Sequence, residues 1–271
     1  MIWGARGSIP WAPDDPSEYG ARTSCVEIRA GARRLAFDAG SGILALGQSL
    51  VAEGATDIDL YFTHTHYDHI LGLPYFAPLY FEGVSARIHA GHMLDDHDCA
   101  GLVADYMRAP FHPVTPKVFR AAIDYRSFRP GDRFEPEPGL VIDTHRLDHP
   151  DGAVAYRVRW RGRSIVYATD HEHVPGVANP ALDAFVAGAD ILVYDTTFVD
   201  AEMETYKGYG HSSVEEGLRI AERAGVGQLV LFHHSHKRSD AELRVIEAKA
   251  QGQRPGTIAA RVGLEIALGP L

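Results

Sequence analysis

The chain has 271 residues, 45% of them hydrophobic, which is enough for one large domain with a real core or for two small ones. Acidic residues outnumber basic ones 36 to 26, and the formal net charge of -10 disfavours tight nonspecific binding to long DNA or RNA, which relies on clustered Lys and Arg. Cys25 and Cys99 are too few for a disulfide framework, the first ten residues lack the apolar core of a signal peptide, and no run approaches a membrane span, so a soluble, reduced, cytoplasmic setting is expected.

In chain order, Ser24–Arg29 and Arg34–Asp38 read as strands around the turn Ala30–Arg33. Gly40-Ser41-Gly42 leads into a helix near 43–53, with Leu44, Leu46, Leu50 and Val51 as its apolar side. This glycine-rich turn lacks the Lys and spacing of a phosphate-binding loop and reads as a tight strand-to-helix turn on the site floor. The apolar run Ile58–Phe62 is a strand, and Val84–Ala90 alternates like another. A short helix is expected around 95–107, and the Pro-rich, charged stretch 108–139 reads as an excursion near the active-site mouth.

The second half begins with a strand at 140–147 and a hairpin-like pair at 153–160 and 164–169. A helix over 180–187 and a buried strand at 190–194 follow. Ser212-Ser213 opens a helix through about Ala224, with a capping-box pattern from Ser212 to Glu215. A strand at 228–232, a helix at 239–251 and a closing strand over 258–268 complete the chain. Sheets flanked by helices are the expected outcome, with polar residues on loops at one edge.

Chemistry concentrates in Thr63-His64-Thr65-His66-Tyr67-Asp68-His69, which places four potential metal ligands on the loop leaving the 58–62 strand. Other candidates recur in the same context. His149 lies beyond the 140–147 strand, Asp170 directly follows 164–169, His211 follows 190–194 by a long loop, and His233 ends 228–232. His234 is adjacent and remains an alternative ligand at that point.

The set HxHxDH, then His, Asp and His, resembles the metallo-β-lactamase superfamily over nearly the full length. The resemblance implies an α/β fold, a four-layer αββα sandwich, in a single domain spanning 1–271. It also implies two divalent metal ions, zinc favoured over manganese or iron, that share and activate a hydroxide. His64, His66 and His149 would hold one ion, Asp68, His69 and His233 the other, and Asp170 would bridge them. Imidazole and carboxylate ligands suit each of these metals.

Further motifs resemble the branch of ribonuclease Z and small phosphodiesterases: Gly4–Pro10, Thr23-Ser24-Cys25, Phe37–Gly42, Asp195-Thr196-Thr197-Phe198 and Gly210-His211-Ser212-Ser213. The resemblance implies that His211 acts at the scissile phosphate, that Asp195 orients its imidazole, and that Asp68 belongs to the catalytic set. His236 and Lys237 are candidates for contact with substrate phosphate. His171, Glu172 and His173 follow Asp170 and could tune the site or seal its rim.

The expected function is hydrolysis of small or cyclic-nucleotide phosphodiesters. No long nucleic acid or membrane is expected as a partner, and a homodimer is compatible with the resemblance. The alternatives are a lactonase or thioesterase using the same centre, a ribonuclease Z-like endoribonuclease, and a non-catalytic metal-binding module. A long Gly/Pro-rich basic arm is missing from the sequence, which sets it apart from transfer-RNA-processing relatives.

Overall fold

The computed structural model describes residues 1–93 and 95–269. Its first sheet contains β1 (Ile2–Gly4), β2 (Cys25–Ala30), β3 (Arg33–Phe37), β4 (Asp57–Tyr61), β5 (Ser85–Ala90) and β6 (Ala122–Ser127), side by side in that order. The second contains β7 (Arg133–Glu137), β8 (Leu140–Leu147), β9 (Ala153–Trp160), β10 (Arg163–Ala168), β11 (Ile191–Asp195), β12 (Gln228–Phe232) and β13 (Ile258–Ala259), also in sequence order. Strands β3 to β6 are parallel to one another, and so are β10 to β13.

Strand alternation divides the apolar residues among three cores and so builds four layers. Phe37, Tyr61, Tyr156, Tyr167, Val193 and Phe232 fill the space between the sheets. Leu60 and Phe62 face outward, where they meet Ile43, Leu46 and Leu50 of α1 (Ile43–Ala52) and Val103 of α3 (Cys99–Tyr106). On the other side, Leu192, Tyr194, Leu229 and Leu231 pack with α4 (Pro180–Val186), α5 (Val214–Arg223) and α6 (Asp240–Gln253). Strands β11 and β12 are covered on both faces, which is why they read as continuous apolar runs. The architecture is the expected αββα sandwich.

Several expectations change in detail. Leu44 and Val51 are exposed on α1, whose buried side is Ile43, Leu46, Gly47 and Leu50. Residues 108–139 are not wholly an excursion, because β6 and β7 extend one edge of each sheet. Helix α5 is capped by Ser213, whose side chain accepts from the Glu216 N–H, one residue later than the Ser212–Glu215 pattern. Ser212 is buried, 2.8 Å from His173 Nδ1 and 3.1 Å from the Tyr194 hydroxyl. The closing strand shrinks to Ile258–Ala259; beyond it Leu264, Ile266 and Leu268 pack against the inter-sheet core, and the Gly263 N–H and Leu264 carbonyl bond to the backbone of Ile2 in β1 without extending the strand. No helix among the described residues is long and apolar enough to cross a membrane.

A buried ion network lies at the start of β4, ahead of the His-rich loop. Asp59 is 1% exposed and is paired with Arg33 of β3 and Arg87 of β5, with Arg87 Nε 2.5 Å from Asp59 Oδ1. Burial alone would raise the Asp59 pKa, but the His89 imidazole and the two guanidiniums outweigh it and hold the value at about 2. Removing this charge leaves Arg33 and Arg87 only the half-exposed Asp57 as a carboxylate partner, so Asp59→Asn is expected to cost about 2 kcal/mol in urea unfolding. Because the folded pKa lies below the ordinary 3.8, the network stabilises fully above that value. Its contribution is lost as pH falls through about 2. A variant within about 0.5 kcal/mol of wild type would show that the pairing contributes nothing net.

Candidate metal centre

The site forms where strands end. Asp38 follows β3, His64 follows β4, Asp170 follows β10, Asp195 ends β11 and His233 follows β12. These are the carboxyl ends of parallel strands, where open α/β sheets commonly present their binding residues. Four-residue helix α2 (Tyr67–Ile70) brings Asp68 and His69 back over the strand ends. His149 arrives from the turn between β8 and β9.

Two donor groups adjoin. His64, His66 and His149 form one, and Asp68, His69 and His233 the other, with the ligand atoms within each lying no more than 4.8 Å apart. Asp170 stands between them. Its Oδ1 is 3.9 Å from both His64 Nε2 and His149 Nε2, while its Oδ2 is 3.2 Å from His69 Nε2 and 3.5 Å from His233 Nε2. Each half of the cluster therefore faces its own oxygen of one carboxylate.

The imidazoles are aimed from behind. His149 Nδ1 donates to the Gly210 carbonyl at 2.8 Å, and His69 Nδ1 donates to Asp38 Oδ2 at 2.9 Å. His233 Nδ1 is 3.0 Å from Thr197 Oγ1. With Nδ1 engaged, Nε2 turns its lone pair into the cluster, the arrangement metal-ligating histidines require. Asp38 is itself fixed by the Thr63 N–H and hydroxyl and by the Tyr167 hydroxyl, all within 3.0 Å. The Ser8 N–H donates to Asp68 Oδ2 at 2.7 Å.

The electrostatics favour a cation. Burial opposes a proton on His69, yet the carboxylates of Asp170, Asp68 and Asp38 outweigh it and raise its pKa well above the ordinary value. Burial holds the His64 pKa well below its usual value and lowers that of His149. His64 Nε2 is buried with no hydrogen-bond partner, which is costly unless something electropositive meets it. Convergent nitrogen pairs point the same way: His149 Nε2 lies 3.0 Å from His66 Nδ1, and His69 Nε2 lies 3.3 Å from His233 Nε2. The donors fit one or two divalent ions.

His211 and Asp195 adjoin this set. His211 Nδ1 lies 2.9 Å from Asp195 Oδ2 and 3.7 Å from Asp170 Oδ1, and its ring stacks 4.9 Å from that of His233. Burial pushes the His211 pKa down, but Asp195, Asp170 and Asp68 outweigh it and set the value at about 9. Asp195, Asp170, His211 and His233 could also form a metal-ligand group by distance alone. Both oxygens of Asp195 are already committed to protein donors, however. Oδ2 accepts from His211 and the Asp170 and His171 N–H groups, and Oδ1 accepts from the Thr197 N–H and hydroxyl. Asp195 is thus fitted to hold an imidazole.

Of the adjacent pair His233 and His234, only His233 faces the cluster. His234 Nε2 donates to the Ala260 carbonyl at 2.8 Å, and burial lowers its pKa to about 3. A cleft of about 280 Å³ opens over the cluster, lined by Ser8, His66, Tyr67, Asp68, His149, Asp170, Tyr209 and His211. His236 and Lys237 do not line it; Lys237 Nζ instead sits 5.6 Å above the Tyr206 ring. No residue of 108–139 lines it either.

Sequence reasoning missed the partners that lock the rings, namely Asp38 as acceptor for His69 and Thr197 as neighbour of His233. It also missed two glycines that give the rings room. A Cβ on Gly7 would lie 2.4 Å from His233 Cε1, and one on Gly210 would lie 2.1 Å from His149 Nδ1. The only sequence signal was their presence in motifs already singled out for other reasons.

A family model described as the beta-lactamase superfamily domain matches residues 33–234. The chain belongs to this superfamily, in its metallo-β-lactamase form. It is 31% identical over 273 residues to a protein named ribonuclease Z from Bradyrhizobium sp. (strain ORS 278), covering 85% of this chain and 88% of that one. The metallo-β-lactamase fold protein YhfI from Bacillus subtilis superposes with a TM-score of 0.71 at 22% identity, over 97% of each chain. A diphosphatase of the PhnP family superposes with a TM-score of 0.70 at 20% identity, over 100% of this chain and 97% of that one. The protein is therefore a metal-dependent hydrolase of this superfamily.

Gly210→Ala tests the close approach to His149. Its backbone φ is +81°, and the added methyl must displace the ring or the loop. Metal retained after dialysis should fall about tenfold or more with far-UV circular dichroism unchanged. Full retention would mean that the His149 position is not needed to hold metal.

Proposed function

We propose that the protein is a phosphodiesterase acting on small phosphodiesters, cyclic nucleotides among them. The observation that carries this reading is the His211–Asp195 pair, 2.9 Å apart, beside a two-part donor set that shares Asp170. His64, His66 and His149 would hold one divalent ion and Asp68, His69 and His233 the second, with Asp170 shared; zinc is the favoured ion, and manganese or iron would suit the same donors. Two such ions supply Lewis-acid polarisation of phosphoryl oxygens and a nucleophile from water at neutral pH.

The chain's own residues do the rest. Asp195 Oδ2 accepts a hydrogen bond from the His211 Nδ1–H, which fixes the ring and favours its doubly protonated form. His211 Nε2 then carries the proton that a departing alkoxide needs. Asp195, with its oxygens filled by five protein donors, keeps this role whatever charge is neutralised at Asp170. The Ser8 N–H holds Asp68 at the cleft wall.

A small substrate agrees with the net charge of -10 and with the use of 122–127 and 133–137 as sheet strands rather than as an extended basic arm. Similarity to a protein named ribonuclease Z is in keeping with phosphodiester chemistry, and precursor transfer RNA is the substrate that would mark that narrower activity. One observation favours a second reading, a lactonase or thioesterase. A groove of about 400 Å³ shares His149 with the metal cleft and includes Pro150, Val174, Pro175 and Met203, an apolar wall suited to an acyl chain. Asp148, Glu172, Glu204 and Lys207 interrupt it, which suits a polar substrate better.

The test is turnover by protein of measured metal content. The panel is bis(p-nitrophenyl) phosphate, 2′,3′- and 3′,5′-cyclic nucleotides, precursor transfer RNA, an acyl-homoserine lactone and a thioester. Small phosphodiesters should be cleaved fastest. His211→Ala should lower kcat about 10²–10⁴-fold with metal content kept. Selective acyl hydrolysis would replace the phosphodiesterase reading, and metal loss in the variant would move His211 into the ligand set.

A further inference from the structure

The floor of the cleft, made by His66, Asp68, His149, Asp170 and His211, is polar and suited only to the reacting group. Recognition of the organic part of a substrate falls to the rim. Two large rings line the cleft while remaining mostly exposed, Tyr67 at 73% and Tyr209 at 62%. Exposed tyrosines on loops are ordinary; what distinguishes Tyr209 is how firmly its loop is held.

Glu172 brackets the residue. Its Oε1 accepts from the Gly208 N–H at 2.8 Å and its Oε2 from the Gly210 N–H at 2.7 Å. Both glycines have positive φ, +85° and +81°, so the backbone turns sharply on each side of Tyr209. Rings back it from behind. Tyr206 meets Tyr209 edge-on with centroids 5.5 Å apart, and Phe198 stacks on Tyr206 at 4.4 Å and 2°. Phe198 in turn meets His211 edge-on at 5.8 Å, and Lys237 caps Tyr206. The ladder therefore runs from the proton-donating imidazole to the rim, two residues away along the chain.

We propose that Tyr209 is a specificity-determining residue, a preorganised stacking face that selects phosphoesters carrying a planar aromatic group next to the scissile bond. Glu172 is its positioning residue. The ordering of the loop is spent before substrate arrives, so stacking on the ring adds to affinity instead of being consumed in fixing the loop. A nucleobase or a simple aryl ring supplies the required π-face. The proposal rests on the phosphoester reading of the cleft.

Calorimetric titration of metal-loaded protein with AMP, phenyl phosphate and ribose 5-phosphate tests it without turnover. Wild type should bind AMP and phenyl phosphate more tightly than ribose 5-phosphate. Tyr209→Ala should cut that preference about 5- to 50-fold, whereas Tyr209→Phe retains it. Glu172→Gln should weaken the preference in part, an effect that a merely structural carboxylate would not have. Loss confined to AMP assigns the face to a nucleobase, and loss for both assigns it to any planar ring. Equal wild-type affinities, or a preference unchanged in Tyr209→Ala, overturn the stacking face alone. No binding of any of the three overturns the phosphoester reading and the stacking face together.

Discussion

Three buried carboxylates, Asp38, Asp68 and Asp170, converge on one set of imidazoles, and the rest of the site is arranged around the charge they concentrate. Buried anions are costly unless a cation or a full set of donors meets them. Asp38 has its donors in Thr63, Tyr167 and His69. Asp170 has Thr169 on one oxygen and faces histidine Nε2 atoms with both. The imbalance that raises the His69 pKa is the one a divalent ion would relieve. Asp38, Thr197 and the Gly210 carbonyl matter because they keep the nitrogen lone pairs pointed at that place.

The scaffold achieves this with the ends of parallel strands. Asp38, Asp170 and His233 each follow a parallel strand and each adopt a left-handed backbone, with φ of 60°, 60° and 61°. That conformation is uncommon for residues with a Cβ and costs on the order of 1 kcal/mol or more apiece. It turns the chain sharply at the strand end, so the side chain points into the donor cluster or the layer directly behind it while the backbone leaves. The aromatic residues between the sheets hold these ends in register. The Tyr167 hydroxyl reaches Asp38 from the second sheet, and the Tyr156 hydroxyl reaches the Phe62 carbonyl of the first.

Much of this was legible in the sequence because it is local. The His64–His69 run sits on one strand-loop junction, and His149, Asp170 and His233 could be placed by strands strong enough to recognise from apolar runs. Tertiary relations were not legible. Ser212 and Ser213 are chemically equivalent as caps, and only the burial of Ser212 against His173 and Tyr194 shows that Ser213 does the capping. The alternation after Ala259 resembles a strand, yet it finds a core to pack on and only a local pair of backbone bonds to Ile2 in place of a continuous strand partner. His233 and His234 differ only in where the backbone turns, and Lys237 is drawn to an aromatic ring that no spacing rule would pair with it. Glu172 lies two residues after Asp170 in sequence, but its two glycine partners are 36 and 38 residues away.

A two-ion centre shared through Asp170 is the central proposal. Anomalous diffraction from crystals of zinc- or manganese-loaded protein tests it directly. Two peaks are predicted, one bounded by His64, His66, His149 and Asp170, the other by Asp68, His69, His233 and Asp170, with Asp195 and His211 outside both coordination spheres. A single peak, or a metal coordinated by Asp195 or His211, would contradict it.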